Sequence, residues 1–292
     1  MKVTVQVPAT SANLGPGFDS FGLALSLYNY ISLEETESSL EFIGCDPTYA
    51  NEDNLIFQAY KAAMDYMGLP IKGLRVEIEA NIPISRGLGS SAALLTAGAM
   101  GANALHGSPL SLQQILEVTN PIEGHPDNLA PAIFGGMTAS MMVGEQPITV
   151  PCPLHSDWKF LALVPDFPLS TSAARSVLPK SYSRADAVYN VGRGALVIKA
   201  LELGDEALLA MAMDDKIHQP YRRSLIADYG IIEDMAKAQG AAFCLSGAGP
   251  TLLCVTRSND LAQYLRNKLP AVTEANWTVL ELQAEHGGVK II

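Results

Sequence analysis

The sequence predicts an α+β fold built as two units that meet near residue 155. Three observations carry that expectation. Strand-like alternation and helix-like periodicity interleave along the whole chain. The second half, with its additional helices set aside, runs β-α-β-β-α-β, the order of a split βαβ sandwich. The length of 292 residues suffices for two units of ordinary size with a substantial core. The expected units are residues 1–155 and 156–292.

Each element follows from its own pattern. Val3, Val5 and Val7 alternate as a half-buried strand, Leu55 to Met67 has helical periodicity, and Leu74, Val76 and Ile78 alternate again in "LRVEIE". Residues 90 to 105 carry small side chains, alanines above all, which suit a helix packed closely against a sheet. Ser111 followed by Gln114 fits a capping box ahead of "LQQILEVT". "AIFGGMTASMMV" closes this half, and "PCP" at 151–153 suits a connector. Beyond it, Lys159 to Val164 reads as a strand and the stretches near 185–203, 205–213 and 226–238 as helices. "AAFCLSG" and "TLLCVT" read as two strands around a turn, followed by a helix at 259–268 and a last strand in "WTVLELQ".

Composition narrows the function. Hydrophobic residues make up 48% and charged residues 17%, with no low-complexity tract, which describes an ordered globular protein. A formal charge of −11 with no local basic patch repels a phosphate backbone, so no nucleic-acid partner is expected and small metabolites are favoured. Cys45, Cys152, Cys244 and Cys254 form no C-x-x-C pair and have no histidine at metal spacing, so buried free thiols in a reducing compartment are expected. The N-terminus alternates like a strand and lacks the apolar core of a signal peptide, and no stretch is long and apolar enough to span a membrane. The expectation is a cytoplasmic protein with no membrane partner.

Three segments concentrate Gly, Ser, Thr, Asn and Pro where the flanking periodicity predicts turns: "PATSANLGPGFDSFG" at 8–22, "PISRGLGSSAA" at 83–93 and "SGAGPT" at 246–251. Each alone reads as tight-turn chemistry. The middle one lacks the lysine of a P-loop and does not fit the dinucleotide fingerprint. Its glycines nevertheless permit close approach, and Ser90 and Ser91 can offer hydroxyls and backbone N–H groups to a phosphate chain at a helix entrance.

"PATSANLGPGFDSFGLAL", "PISRGLGSSAA", "EGHPDN" and "SGAGPT" occur in the order found in the GHMP kinases, and in detail they resemble the homoserine kinase group of that family. The resemblance runs from residue 3 to about 256. It implies a GHMP kinase fold: an N-terminal unit like the second domain of ribosomal protein S5 and a ferredoxin-like C-terminal unit. It also implies ATP-dependent phosphorylation of the side-chain hydroxyl of L-homoserine, on the route to threonine, with Mg²⁺ on the nucleotide and a homodimer as the expected assembly. Another small alcohol as acceptor, or a non-enzymatic RNA-binding role, are the alternatives; the acidic balance and the intact loop disfavour the second.

Carried onto matching positions, the nucleotide loop would be Pro83, Ile84, Ser85, Arg86, Gly87, Leu88, Gly89, Ser90, Ser91, Ala92 and Ala93. Asn54 and its neighbours in "EDNLIFQA" are candidates for the adenine pocket, and Asp53 or Asn54 reads at least equally as a helix cap. The resemblance assigns Asn13 and Asp19 to the amino acid, Asp19 suiting its ammonium, with Arg175 and Arg222 for the carboxylate and His125 completing the set. Arg223 rivals Arg222 by one position. Glu123, with Ser91 or Ser90, would hold Mg²⁺; many homoserine kinases have a longer insertion before the histidine, and by spacing alone Glu117 would be the ligand. Asp127 is the candidate base by likeness to mevalonate kinases, whereas Asn128 or Thr171 would bind the attacking hydroxyl if catalysis rests on positioning.

Overall fold

The structure is a computed structural model that describes residues 1–292. The first unit comprises β1 (Lys2–Ala12), β2 (Phe21–Thr36), β3 (Leu40–Ile43), α1 (Leu55–Met67), β4 (Gly73–Glu79), α2 (Ser90–Leu105), α3 (Leu112–Glu123), α4 (Pro126–Phe134), β5 (Met137–Val143) and β6 (Gln146–Cys152). The second comprises β7 (Lys159–Pro165), α5 (Thr171–Ser176), α6 (Arg184–Leu203), α7 (Glu206–Ala212), α8 (Gln219–Arg222), α9 (Tyr229–Ala238), β8 (Ala242–Leu245), β9 (Leu252–Thr256), α10 (Leu261–Val272) and β10 (Trp277–Leu282). The chain ends in β11 (Lys290–Ile291).

Capping explains the agreement between pattern and structure at α1 and α3, and small side chains explain it at α2. Asn54 caps α1 by accepting from the Ile56 N–H, and Gly68 ends that helix in the left-handed region. The capping box of Ser111 and Gln114 is present at α3. The small residues of α2 let it lie against α1, since a Cβ added at Gly98 would stand 2.1 Å from the Ile56 carbonyl oxygen.

The larger sheet runs β11-β1-β2-β4-β3, with β5 pairing to β2 and β6. All its pairings are antiparallel except β3 with β4. β2 changes partners along its length: Phe21 to Leu23 face β5, and Tyr30 to Thr36 face β4. The smaller sheet runs β10-β7-β9-β8, antiparallel throughout, with the topology of a split βαβ sandwich. β7 is buried on both faces. Phe160, Ala162 and Val164 join the large core shared with the first unit, while Leu161 and Leu163 join a second core under α9 and α10. That two-sided burial is why the strand reads as an unbroken apolar run.

Four sequence expectations are corrected. The segment at 8–22 is not turn throughout, because β1 continues to Ala12 and β2 starts at Phe21, leaving 13–20 as the turn. "PCP" is not wholly a connector, since β6 extends through Cys152 to complete its pairing with Met137. All four cysteines are free, but only Cys244 and Cys254 are buried; Cys45 and Cys152 are half-buried. The last residues do not stay with the second unit, because β11 pairs with β1 and Ala284 bridges to Leu25.

Candidate active site

The three glycine-rich segments converge. The Thr10 N–H donates to the Leu88 carbonyl at 3.1 Å, the Gly247 N–H to that of Ala12 at 3.1 Å, and the Thr251 N–H to that of Arg86 at 3.2 Å. The Ser246 hydroxyl donates to the Gly87 carbonyl at 2.6 Å. Segments far apart in sequence are thereby fastened into one wall, which a set of independent surface turns does not require.

Against that wall lies a cavity of about 560 Å³. Of the candidate nucleotide loop, Ile84, Ser85, Arg86, Gly87, Gly89, Ser90 and Ser91 line it. Pro83 does not line it, and Leu88, Ala92 and Ala93, assigned to the same loop from sequence, are buried in the core, where they anchor the loop. Arg86 turns away at its tip, donating to the Pro165 and Asp166 carbonyls at 3.0 Å each, so it ties the loop to the end of β7. Gly89 precedes α2 with φ +68°, and a Cβ there would lie 1.8 Å from the Thr10 hydroxyl. The entrance of α2 lines the cavity through Gly89, Ser90 and Ser91, and its first N–H groups have no helical partner.

Beside it, the Ser91 hydroxyl donates to Glu123 at 2.6 Å. Burial pushes the Glu123 carboxyl above the usual carboxylate range, opposed by the Ser91 hydrogen bond and the nearby His125. Glu117 instead accepts from Gln113 one turn back along α3 and does not line the cavity. His125 sits between α3 and α4 with Nδ1 2.6 Å from Asp127 Oδ1. Burial alone would lower the His125 pKa, but the hydrogen bond and charge of Asp127, with Glu123, outweigh it and raise it. Asn128 accepts from the Thr10 hydroxyl at 2.8 Å. Thr171 starts α5 and lines the cavity.

The acceptor candidates gather on the same cavity. Arg175 forks onto Asp19 through two contacts of 2.7 and 3.1 Å, each side chain about one-third exposed. Asn13 is buried, donating to the Gly247 carbonyl at 2.8 Å and accepting the Asp19 N–H at 2.9 Å, so its amide fixes the turn that presents Asp19. Arg222, unlike the solvated arginine its residue type suggests, is 1% exposed and still lines the cavity. Burial, with the like charge of Arg175, pushes its pKa down to about 10. Arg223 is exposed and does not line the cavity. Asn54 both caps α1 and lines the cavity, but its amide is already engaged with the Ile56 N–H and the Tyr49 carbonyl.

Sequence reasoning missed Phe18 and His218. The Phe18 ring lies under both guanidiniums, whose central carbons stand 5.5 Å (Arg175) and 5.2 Å (Arg222) from its centroid. His218 stacks on Phe18 with centroids 5.2 Å apart. Phe18 stands within the first motif, and His218 precedes Arg222 by one helical turn; those positions were the available signals.

Comparison with known proteins follows the same lines. Residues 54–136 match the family model for the GHMP kinases N terminal domain, and residues 197–275 that for the GHMP kinases C terminal. A homoserine kinase of Clostridium botulinum (strain 657 / Type Ba4) is 44% identical over 292 residues, covering 99% of this chain and 98% of the relative. The chain belongs to the homoserine kinase group of the GHMP kinases. The crystal structure of homoserine kinase from Cytophaga hutchinsonii superposes with a TM-score of 0.90 at 25% identity, covering 100% of this chain and 97% of that one. The mevalonate kinase of Methanococcus jannaschii, at 15% identity and a TM-score of 0.72 over 96% of this chain and 98% of that one, shares the fold. No helix is long and apolar enough to cross a membrane.

Proposed function

We propose that the chain transfers the γ-phosphoryl group of ATP to the side-chain hydroxyl of L-homoserine, giving O-phospho-L-homoserine and ADP. One observation carries the reading: a single cavity joins a side-chain-poor helix entrance to a paired set of opposite charges, Asp19 with Arg175 and Arg222. The first suits a phosphate chain, the second a zwitterion.

In this reading the N–H groups at the start of α2 and the Ser90 and Ser91 hydroxyls hold the phosphates. Glu123 and Ser91 fit Mg²⁺, being a carboxylate and a hydroxyl already in contact, and phosphates and water would supply the ion's remaining oxygens. Bound there, the ion would neutralise charge on the β and γ phosphates. Arg175 and Arg222 grip the carboxylate. Asp19 faces the ammonium, which obliges it to share its ion pair with Arg175 when the amino acid enters.

Asp127 is committed to His125 and touches Asn128 at 3.4 Å, which favours an orienting duty over that of a free base. A loose phosphoryl-transfer transition state needs little early proton removal, so positioning of the hydroxyl by Asn128 and Thr171 suffices. The test is incubation of purified protein with ATP, Mg²⁺ and L-homoserine. O-phosphohomoserine detected by mass spectrometry, and lost on chelation, supports the reading; folded protein that makes none refutes it.

A further inference from the structure

His218 is fully buried and does not line the cavity, yet it touches the residue at the heart of the acceptor site. Its two ring nitrogens meet partners of opposite kind. Nε2 lies 2.8 Å from the Gly15 carbonyl oxygen, which can only accept a hydrogen bond, and Nδ1 lies 3.3 Å from Arg222 Nη1, which can only donate one. Together they dictate one tautomer: a neutral imidazole protonated on Nε2, with the Nδ1 lone pair turned to the guanidinium.

The surroundings hold that arrangement in place. Asp215 accepts the N–H groups of Ile217, His218 and Gln219 at 2.8, 2.9 and 2.7 Å and the Asn190 amide at 2.6 Å, so the chain carrying His218 is pinned. Gly15, at φ +73°, would place a Cβ 2.4 Å from the Met213 carbonyl oxygen; the absence of one lets its own carbonyl stay beside Nε2. The charged groups around the ring are Asp215, Arg222 and Asp19, and burial keeps the imidazole below its ordinary pKa.

Arg222 itself donates through Nε to the Ala174 carbonyl at 3.1 Å and through Nη1 to the Gly247 carbonyl at 3.2 Å and to His218. Its hydrogen bonds within the protein use Nε and Nη1 and leave Nη2 without a protein partner on a residue that lines the cavity. We propose that His218 is a positioning residue for substrate recognition: by accepting from Nη1, it sets the plane of the Arg222 guanidinium so that Nη2 presents to the acceptor's carboxylate. This rests on the homoserine reading above. With Nη2 alone left to reach the carboxylate, its N–H groups point there only if the guanidinium plane is fixed, so losing one fixed contact weakens the acceptor and leaves the nucleotide untouched.

Two substitutions separate the ring nitrogens. In His218→Asn the side-chain oxygen takes about the place of Nδ1, keeping the acceptor for Arg222 and losing the donor to Gly15. In His218→Gln the amide nitrogen takes about the place of Nε2, keeping the donor and losing the acceptor. The expected result is a KM for homoserine near wild type in His218→Asn and raised roughly tenfold in His218→Gln, with the KM for ATP unchanged in both and similar losses in Tm. Equal shifts in homoserine KM, shifts that follow Tm, or an equal rise in the KM for ATP overturn the proposal. A wild-type enzyme that does not phosphorylate homoserine defeats the functional reading itself, which is a different outcome from a wild type that turns over and variants that do not split. Nitrogen-15 NMR of the wild type provides a check independent of variant folding: Nδ1 must show an unprotonated signal that moves when homoserine is added and not with ATP alone. A protonated Nδ1, or one indifferent to homoserine, contradicts the proposal.

Discussion

The two ends of the cavity are made of different material. At the proposed nucleotide end the surface is mostly backbone: glycines, the entrance of α2 and two serine hydroxyls, fastened from behind by Thr10, Ser246 and Arg86. At the proposed acceptor end it is charged side chains, supported by buried polar groups such as Asn13 and by Phe18. The difference teaches where each end is fragile. A backbone surface tolerates loss of side chains and is damaged by their gain, whereas a charged surface is damaged by their loss.

Glu123, between the two ends, carries the largest expected effect. Glu123→Gln should lower kcat by about 10²–10³, the scale of removing one strong electrostatic contact to a transition state, while Glu117→Gln leaves kcat unchanged. The reverse ranking moves the metal site to Glu117. The same variant should gain stability. The folded pKa of Glu123 is raised, so its contribution to stability is complete below the unfolded carboxylate pKa and is lost as pH rises through the folded value. At neutral pH without Mg²⁺, Glu123→Gln is therefore expected to melt above wild type, with the difference closing as the pH is lowered; thermal melts at two pH values check the sign.

At the acceptor end the two arginines should differ. Arg222 is buried and Arg175 about one-third exposed and already paired. Arg222→Ala is expected to raise the KM for homoserine by roughly 10-fold to 150-fold, the range of a buried charge-assisted contact. Arg175→Ala should raise it by less, because a pair about one-third exposed contributes little beyond the screened value. Equal effects would erase the distinction between a buried and a solvated clamp.

At the nucleotide end the damaging change is an addition. Gly89→Ala puts a methyl group against the Thr10 hydroxyl in a left-handed backbone position, and is expected to cost about 1–3 kcal/mol of stability and to raise the KM for ATP more than that for homoserine. An unchanged KM for ATP would mean that the loop does not hold the phosphates.

Much of this was legible in sequence for local reasons. Caps marked α1 and α3, and the small residues of α2 marked a close-packed helix. The two-sheet arrangement was less so, because β2 exchanges β5 for β4 along its length and its alternation therefore serves different partners. α4, entered through Pro126 and containing Pro131, has no plain helical signature. Within the site, Asp19, Arg175, Arg222, Glu123 and His125 stood in quotable motifs, and all line one cavity. His218 did not stand out: its significance lies in the opposite hydrogen-bonding natures of Gly15 and Arg222, which only meet in three dimensions.

The central claim is that one end of this cavity reads a zwitterion while the other holds ATP. The most direct measurement is the ratio of kcat/KM for L-homoserine to that for 3-aminopropan-1-ol, which lacks only the carboxylate, in wild type and in Arg222→Ala. The account predicts a large preference for homoserine in wild type that falls by roughly 10-fold or more in the variant, with the KM for ATP unchanged. A preference that survives the loss of Arg222, or a variant that loses ATP rather than homoserine, would contradict it.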